Sequence, residues 1–286
     1  MLRRVGSLPP NTGVDIFHTT SQSDLGVFAL GLVIAGAVSG LAAGVLGIGG
    51  GIVVVPVLYH VMAALGIGAG VRMHVAIATS LAAMIPAALA HVQNAKARID
   101  WRQARRDLAA VVIGVTVGSA AATFASGSVL AVLFAILAIP VVFELALGKR
   151  FALANATGRS VVLFTAVGGL AATLTGIAAD TIARCFFVPG DAESDRQRTR
   201  VRVSALLVAI AGTAAFAVAG WGAPGLPADS LGFVNLLGFA LIAPVLLATE
   251  PAGAALAHMM DLRRLRLVFA GLIVIATGRM LWDAFT

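Results

Sequence analysis

A glycine-rich run near the N-terminus carries the densest signal for chemistry in this chain. Residues 40–56 read GLAAGVLGIGGGIVVVP, and Gly47, Gly49, Gly50 and Gly51 fall close together within it. Each glycine costs a helix up to about 1 kcal/mol relative to alanine, so the run predicts that the backbone unwinds here. A helix that restarts after Gly51 would present free N–H groups and the positive end of its dipole, which can bind an anion without a charged side chain. The alternative is a tight bend that serves packing alone.

Just before this break, Gly36, Gly40 and Gly44 recur at four-residue spacing. Glycines at this spacing line one face of a helix and let a neighbouring backbone approach closely. This part of the run therefore predicts helix packing rather than chemistry.

Asp180 and Arg184 form a second candidate, four residues apart in an otherwise apolar segment. A charge at the bilayer centre costs roughly 2.5–3.5 kcal/mol on insertion scales, so such charges are functional candidates. Three interpretations stay open. The two side chains pair on one helix face, or Arg184 meets an anion while Asp180 takes a proton, or both lie near an interface and reach water. Asp180 is our candidate for ion coupling.

These residues must be positioned by membrane helices. The chain has 286 residues, of which 59% are apolar and only 12% charged, with a mean hydropathy of +0.99. Soluble domains carry about 25% charge, so an ordinary soluble protein is excluded. Because a spanning helix needs about 20 apolar residues, we predict an all-α polytopic membrane protein with roughly eight to ten transmembrane or half-spanning helices.

Ten apolar stretches alternate with charged segments. They run at 25–46, 52–66, 75–90, 107–125, 128–147, 160–179, 181–189, 203–221, 231–249 and 267–285. The stretches 52–66 and 181–189 are short, which favours half-spans or re-entrant pieces. Irregular backbone at membrane depth is tolerated only beside protein or a water-filled cavity, so these pieces point to a pathway.

Lysine and arginine orient the predicted spans. They concentrate in the connections 91–106, 148–159, 184–202 and 258–266. Basic connections stay in the cytoplasm, and this assignment works if each half of the chain has five segments, which leaves both termini outside. His91 and Asn94 begin the first basic connection and could line a vestibule on that side. The net charge of +7 serves orientation in this interpretation, and no nucleic-acid partner is predicted.

An internal repeat divides the chain in the same way. Residues 37–43 read AVSGLAA and residues 166–172 read AVGGLAA, six identities in seven at an offset of 129 residues. With an odd number of segments in each half, the two copies are inverted, as in secondary transporters whose substrate site lies near the bilayer midplane. The predicted divisions are a soluble N-terminal tail at 1–24, a first membrane repeat at 25–147, a cytoplasmic connection at 148–159 and a second membrane repeat at 160–286.

Several motifs together resemble a known family. They are the run GLAAGVLGIGGGIVVVPVL, ATSL at 78–81, His91, a basic connection ending in IDW at 99–101, RRLR at 263–266 and GRML at 278–281. This pattern is similar to the TauE/SafE sulfite exporter family of membrane permeases over nearly the whole chain after residue 24. The resemblance implies transport of sulfite, organosulfonates or related small sulfur-containing or carboxylate anions across the cell membrane.

The resemblance also adds hydroxyl side chains to the candidate site. Thr79 and Ser80 are small donors that could bind sulfonate oxygens at low desolvation cost. The alternative is that each bonds back to the carbonyl four residues earlier. In the second repeat, Ser204 occupies the position that matches Ser80 of the first repeat, once a short deletion is allowed for. The second half departs from the glycine motif, because Asp180 stands where Gly51 stands in the first half.

The favoured hypothesis is a secondary transporter, an exporter by resemblance, that moves a small anion by alternating access. Its predicted substrate site comprises Gly47, Gly49, Gly50, Gly51, Thr79, Ser80, Ser204 and Arg184. Energy would come from the substrate's own gradient or from an ion gradient, with protons as the candidate. No cofactor or metal is predicted, and the single Cys185 excludes an internal disulfide. The rivals are an integral membrane enzyme or assembly subunit, and a permease for a carboxylate or a cation.

Overall fold

The computed structural model describes residues 22–47, 49–95, 101–148, 154–155, 158–188, 195–227 and 229–286. Nearly all of the predicted soluble tail at 1–24 lies outside these residues. Its last three residues already belong to the first helix.

The described part of the chain forms ten α-helices, which confirms the predicted all-α class. They are α1 (Gln22–Leu46), α2 (Gly51–Ala64), α3 (Ala69–Gln93), α4 (Trp101–Phe124), α5 (Gly127–Leu147), α6 (Gly158–Thr175), α7 (Ala179–Phe186), α8 (Asp195–Ala219), α9 (Leu236–Met259) and α10 (Leu262–Phe285). Four two-residue strands accompany them. β1 (Ala154–Asn155) pairs in parallel with β2 (Phe187–Val188), and β3 (Ser230–Leu231) pairs antiparallel with β4 (Val234–Asn235).

Among the described residues, seven helices are long and apolar enough to cross a membrane: α1, α3, α4, α5, α8, α9 and α10. The two predicted short segments are confirmed as short, since α2 has 14 residues and α7 has 8. α6 has 18 residues, of which Thr165–Thr175 form an apolar piece shorter than a span. The chain is therefore a multi-pass membrane protein.

Short polar side chains begin several of these helices, and left-handed glycines end others. Ser126 accepts a hydrogen bond from the N–H of Val129 at the start of α5, and Asn235 accepts one from the N–H of Gly238, at 2.6 Å, at the start of α9. Such caps satisfy N–H groups that have no acceptor inside the helix. Gly148 ends α5 with a φ of 64°, which glycine adopts without strain.

Gly36, Gly40 and Gly44 form a glycine stripe on α1. This stripe packs against α9, and the two helices run parallel. A Cβ atom added at Gly36 would lie 2.9 Å from the carbonyl oxygen of Ile242, and one added at Gly40 would overlap the carbonyl oxygen of Leu246. α4 and α6 also run parallel in the same manner, with Gly114 against the backbone of Ala166. The predicted close packing of the stripe is confirmed.

α3 is the central helix. Inside the molecule, 61% of its span is buried, the largest share among the seven spans of the described chain. It runs antiparallel to α8, because Leu81 lies next to Gly212 while His91 lies next to Arg202. α3 packs against α2 and α5 of the first half of the chain and against α6, α8 and α9 of the second half.

Candidate functional site

Two interruptions of the helices meet inside the molecule. The first separates α1 from α2 and the second separates α6 from α7. At the first residue of each interruption stands a glycine with positive φ, Gly47 at 60° and Gly176 at 71°. These two glycines are 129 residues apart, the same offset as the repeat. Because glycine adopts this conformation most readily, the two glycines fix the helix breaks at matching positions of the sequence.

The two breaks touch each other directly. The N–H of Gly49 donates to Oγ1 of Thr181 at 2.9 Å. A Cβ atom added at Gly49 would overlap Cβ of Ala178, and one added at Gly51 would overlap the carbonyl oxygen of Gly176. The unwinding expected from the glycine run is observed, and the glycines are needed because backbone approaches backbone.

Thr79 and Ser80 are fully buried and hold neighbouring backbone. Oγ of Ser80 donates to the carbonyl oxygen of Gly176 at 3.1 Å, which ties α3 to the second break. Oγ1 of Thr79 accepts from the N–H of Asn235 at 2.9 Å, at the start of α9. Within the described structure, neither hydroxyl bonds back to its own helix four residues earlier.

Asp180 and Arg184, both within the described residues 158–188, form no ion pair with each other. Oδ1 of Asp180 accepts from the N–H of Thr181 at 2.8 Å at the start of α7. The guanidinium of Arg184 donates to the carbonyl oxygens of Gly47 and of Leu46, the latter at 3.2 Å. Arg184 thus places its positive charge on the last carbonyls of α1, where the helix dipole is negative.

A cavity lies beside the two breaks. The lining residues are Ala43, Gly49, Gly50, Leu81, Met84, Ala87, Ala88, His91, Ala178, Ala179, Asp180, Arg202, Ala205, Val208, Ala209, Leu246 and Glu250. The centres of water-sized molecules can occupy about 40 Å³ of this cavity. Because one water needs about 10–15 Å³ by this measure, the cavity has room for roughly three waters or one small oxyanion.

The cavity wall carries ionisable side chains from four helices. Nε2 of His91 on α3 and Oε1 of Glu250 on α9 form a close hydrogen-bonded pair. Nη1 of Arg202 on α8 lies 3.4 Å from the carbonyl oxygen of His91. Asp180 on α7 contributes the second carboxylate. The rest of the wall is largely apolar, which strengthens electrostatic interactions inside the cavity.

The structure brings some predicted site residues to the cavity and leaves others behind it. Gly49, Gly50 and Asp180 line the cavity, and so does His91. The residues behind the wall are Gly47, Gly51, Thr79, Ser80, Arg184 and Ser204, the last buried beside Ala205.

Two charged lining residues, Arg202 and Glu250, were missed by sequence reasoning. Glu250 immediately follows the predicted apolar stretch 231–249 and lies inside a helix that is long and apolar enough to span the membrane. An acid in such a helix is a signal that could have identified it. Arg202 offered no such signal, because it resembles the other arginines of its basic connection.

Comparisons with known proteins agree with this architecture. A family model described as "Sulfite exporter TauE/SafE" matches residues 32–280. A curated relative from Haemophilus influenzae, described as "Probable membrane transporter protein", is 27% identical over 260 residues, which cover 88% of this chain and 98% of the relative. No solved structure matches the chain. Since the family model spans both helix breaks and the whole cavity, the chain belongs to the TauE/SafE sulfite exporter family and is a membrane transporter rather than an enzyme.

Proposed function

We propose that this protein is a secondary transporter that exports sulfite, an organosulfonate or a related small anion across the cell membrane by alternating access. One observation carries the proposal. The two helix breaks, one from each half of the chain, form adjoining parts of the wall of a single cavity. Interrupted helices at matching positions of two repeats are the usual way in which secondary transporters build a substrate site.

The anion would bind at the start of α2. Gly50 caps this helix of 14 residues, and Gly49 and Gly50 line the cavity. The first N–H groups of a helix have no intrahelical acceptors and carry the positive end of the dipole, so they attract an anion. Arg202 adds a full positive charge to the same cavity.

The other predicted site residues would act from behind the wall. Ser80 and Thr79 hold the second break and the start of α9 by hydrogen bonds. Arg184 ties α7 to the end of α1. We propose that these contacts, together with buried Ser204, keep the breaks in register, and that Gly47 and Gly51 permit the backbone path. Asp180, the candidate for ion coupling that the sequence suggested, lines the cavity and could act from there.

Alternating access requires two parts that can move against each other. The division into repeats at 25–147 and 160–286, joined by a connection at 148–159, would supply them. Helix packing supports this division. The first helix of each half packs in parallel with the fourth helix of the other half, α1 with α9 and α6 with α4. The third helices, α3 and α8, run antiparallel, as inverted copies require.

The proposal is tested by flux in sealed proteoliposomes. Sulfite, sulfoacetate, sulfate and simple carboxylates are offered under imposed pH and voltage gradients. We expect saturable flux of a sulfur oxyanion or sulfonate in the intact protein. Flux of a carboxylate alone would replace the proposed substrate, and no flux from folded protein over the whole panel would refute the proposal.

Gly50→Leu tests whether the glycine break belongs to the site. A Cβ atom at Gly50 would meet Leu246 at 3.0 Å and Ser39 at 3.2 Å, so a leucine at this position would displace residues of the cavity wall, among them Leu246. We expect flux to fall by at least about tenfold, which corresponds to about 1.4 kcal/mol. Gly271→Leu is the matched control, because nothing lies within 4 Å of a Cβ atom at that position on α10. Equal flux in both variants would remove the break from the site.

A further inference from the structure

His91 and Glu250 stand out among the polar contacts of the cavity. They lie 159 residues apart in sequence, on α3 and α9, and Nε2 of His91 meets Oε1 of Glu250. The Glu250 side chain is 16% exposed and the His91 side chain 40%. The pair is therefore partly shielded, yet a proton can reach it from the cavity.

Two of the helices around this pair carry charged residues that face it. Arg202 faces it from α8, through a hydrogen bond to the carbonyl oxygen of His91. Asp180 faces it from α7 across the cavity. Towards the end of α1, the lining residues are Ala43, Gly49 and Gly50, which carry no charge.

The balance of these charges depends on one proton. Asp180 and Glu250 carry two negative charges when ionised, and Arg202 carries one positive charge. If His91 is neutral, the cavity wall has a net charge of −1. If His91 and Glu250 together hold one more proton, the net charge is zero. An anion that enters the apolar cavity therefore meets less repulsion when the pair holds its proton.

We propose that His91 and Glu250 form a proton-binding site whose occupancy controls anion binding in the cavity, an inference that rests on the proposed transport function. The anion loads onto the protonated pair and binds weakly when the pair has lost its proton. Linkage requires the converse as well, so a bound anion holds the proton on the pair. Histidine suits this role because its ordinary pKa lies within the range in which cells vary their pH.

The chain contains a matched control pair. Nδ1 of His60 on α2 lies 3.4 Å from Oδ2 of Asp283 on α10, with side-chain exposures of 31% and 37%. This second histidine–carboxylate pair does not line the cavity. Variants of His60 and Asp283 therefore remove the same chemistry at a place where no effect on anion binding is expected.

The first experiment reads the proton site without transport. The five histidines of the chain are labelled with ¹⁵N and their imidazole signals are followed from about pH 5 to pH 8 in purified protein. His91→Gln assigns the His91 signal. We expect Glu250→Gln to alter its pH response and Asp283→Asn to leave it unchanged. An identical response in Glu250→Gln would overturn the proposal.

The second experiment measures sulfoacetate counterflow, since the charge of this probe stays nearly constant over this pH range, whereas sulfite changes between its singly and doubly charged forms. In the intact protein we expect the half-saturating concentration to rise by about fivefold or more from acid to alkaline pH, the lower end of typical coupling. His91→Gln and Glu250→Gln should flatten this dependence, whatever their residual rate. His60→Gln and Asp283→Asn should preserve it.

Two further outcomes separate the hypotheses. A pH dependence that survives in Glu250→Gln and His91→Gln but vanishes in Asp180→Asn would place the proton on Asp180 and overturn this inference, while the transport function stands. No flux from the intact protein across the whole panel would refute the transport function. The histidine titration then still decides whether the pair binds a proton.

Discussion

Gly49 shows how much of this site depends on the absence of one methyl group. The residue lies in the first break, faces Ala178 of the second break, and lines the cavity. Its N–H bonds to Thr181, so the backbone cannot move away without losing that hydrogen bond. Close approach, rather than conformational freedom alone, makes glycine necessary here.

Replacing Gly49 with alanine should therefore destabilise the protein, and the effect should be reversible. The new Cβ atom would overlap Cβ of Ala178, and overpacking of this kind typically costs about 1–3 kcal/mol. Ala178→Gly in the same chain removes the opposing methyl group and should restore most of the loss. Thermal unfolding of both single variants and the double variant in detergent measures this coupling. If the double variant lost as much stability as the two single variants together, the proposed contact would be contradicted.

Thr79 and Ser80 show where reasoning from residue type reached its limit. The family resemblance suggested that they bind substrate, and both lie close to the breaks. Their hydroxyls instead meet the backbone of Asn235 and Gly176. A buried hydroxyl takes whichever partner the packing provides, and residue type alone does not identify that partner.

Helices α1 and α9 illustrate the scale of whole elements. Their parallel packing depends on the glycine stripe, because each glycine faces the backbone or a side chain of α9. Between membrane helices, such close packing provides much of the attraction, since lipid is as apolar as the side chains themselves. The pairing of α1 with α9 also places Gly49 and Glu250 in the same cavity.

Gly40→Ala should weaken this helix pair, whereas Gly31→Ala on the same helix should not. A Cβ atom at Gly40 would overlap Oγ1 of Thr249, while one at Gly31 has Val61 as its nearest neighbour at 4.0 Å. Both substitutions gain the same helix propensity, up to about 1 kcal/mol, so their difference isolates packing. We expect Gly40→Ala to be less stable by about 1–3 kcal/mol in denaturant unfolding. Equal stabilities would show that the stripe does not carry the interface.

The short helices were predictable because length is a local property. Stretches of 52–66 and 181–189 became α2 and α7, with bounds that differ by a few residues. The packing partners of these helices were not predictable. α7, for example, has only 8 residues, and it contacts α6 and α8 of its own half and α5 of the other half.

Across the whole molecule, the proposed inversion of the two halves makes a prediction about sidedness. Asn94 follows α3 and Trp221 follows α8, the third helices of their halves. Because α3 and α8 run antiparallel, these two positions should lie on opposite sides of the membrane. Both are exposed, Trp221 at 74%.

Single cysteines test this arrangement. In a Cys185→Ala background, Asn94→Cys should react with a membrane-impermeant maleimide only from the cytoplasmic side and Trp221→Cys only from outside. The basic connection after Asn94 sets the expected direction. A membrane-permeant maleimide, which should label both, is the control. Labelling of both positions from one side would exclude inverted repeats.

Composition and spacing were sufficient to establish a multi-pass helical membrane protein, ten helical segments, two of them short, and an unwound glycine run, because these follow from local preferences and from the thickness of a bilayer. The family, too, could be inferred from short motifs, most of them in the first half of the chain. The cavity could not. His91, Asp180, Arg202 and Glu250 belong to four helices, and their meeting depends on how both halves pack around α3. Spacing along a helix indicates which face of the helix a side chain occupies. Which side chain lies opposite that face depends on contacts between segments that are far apart in the sequence.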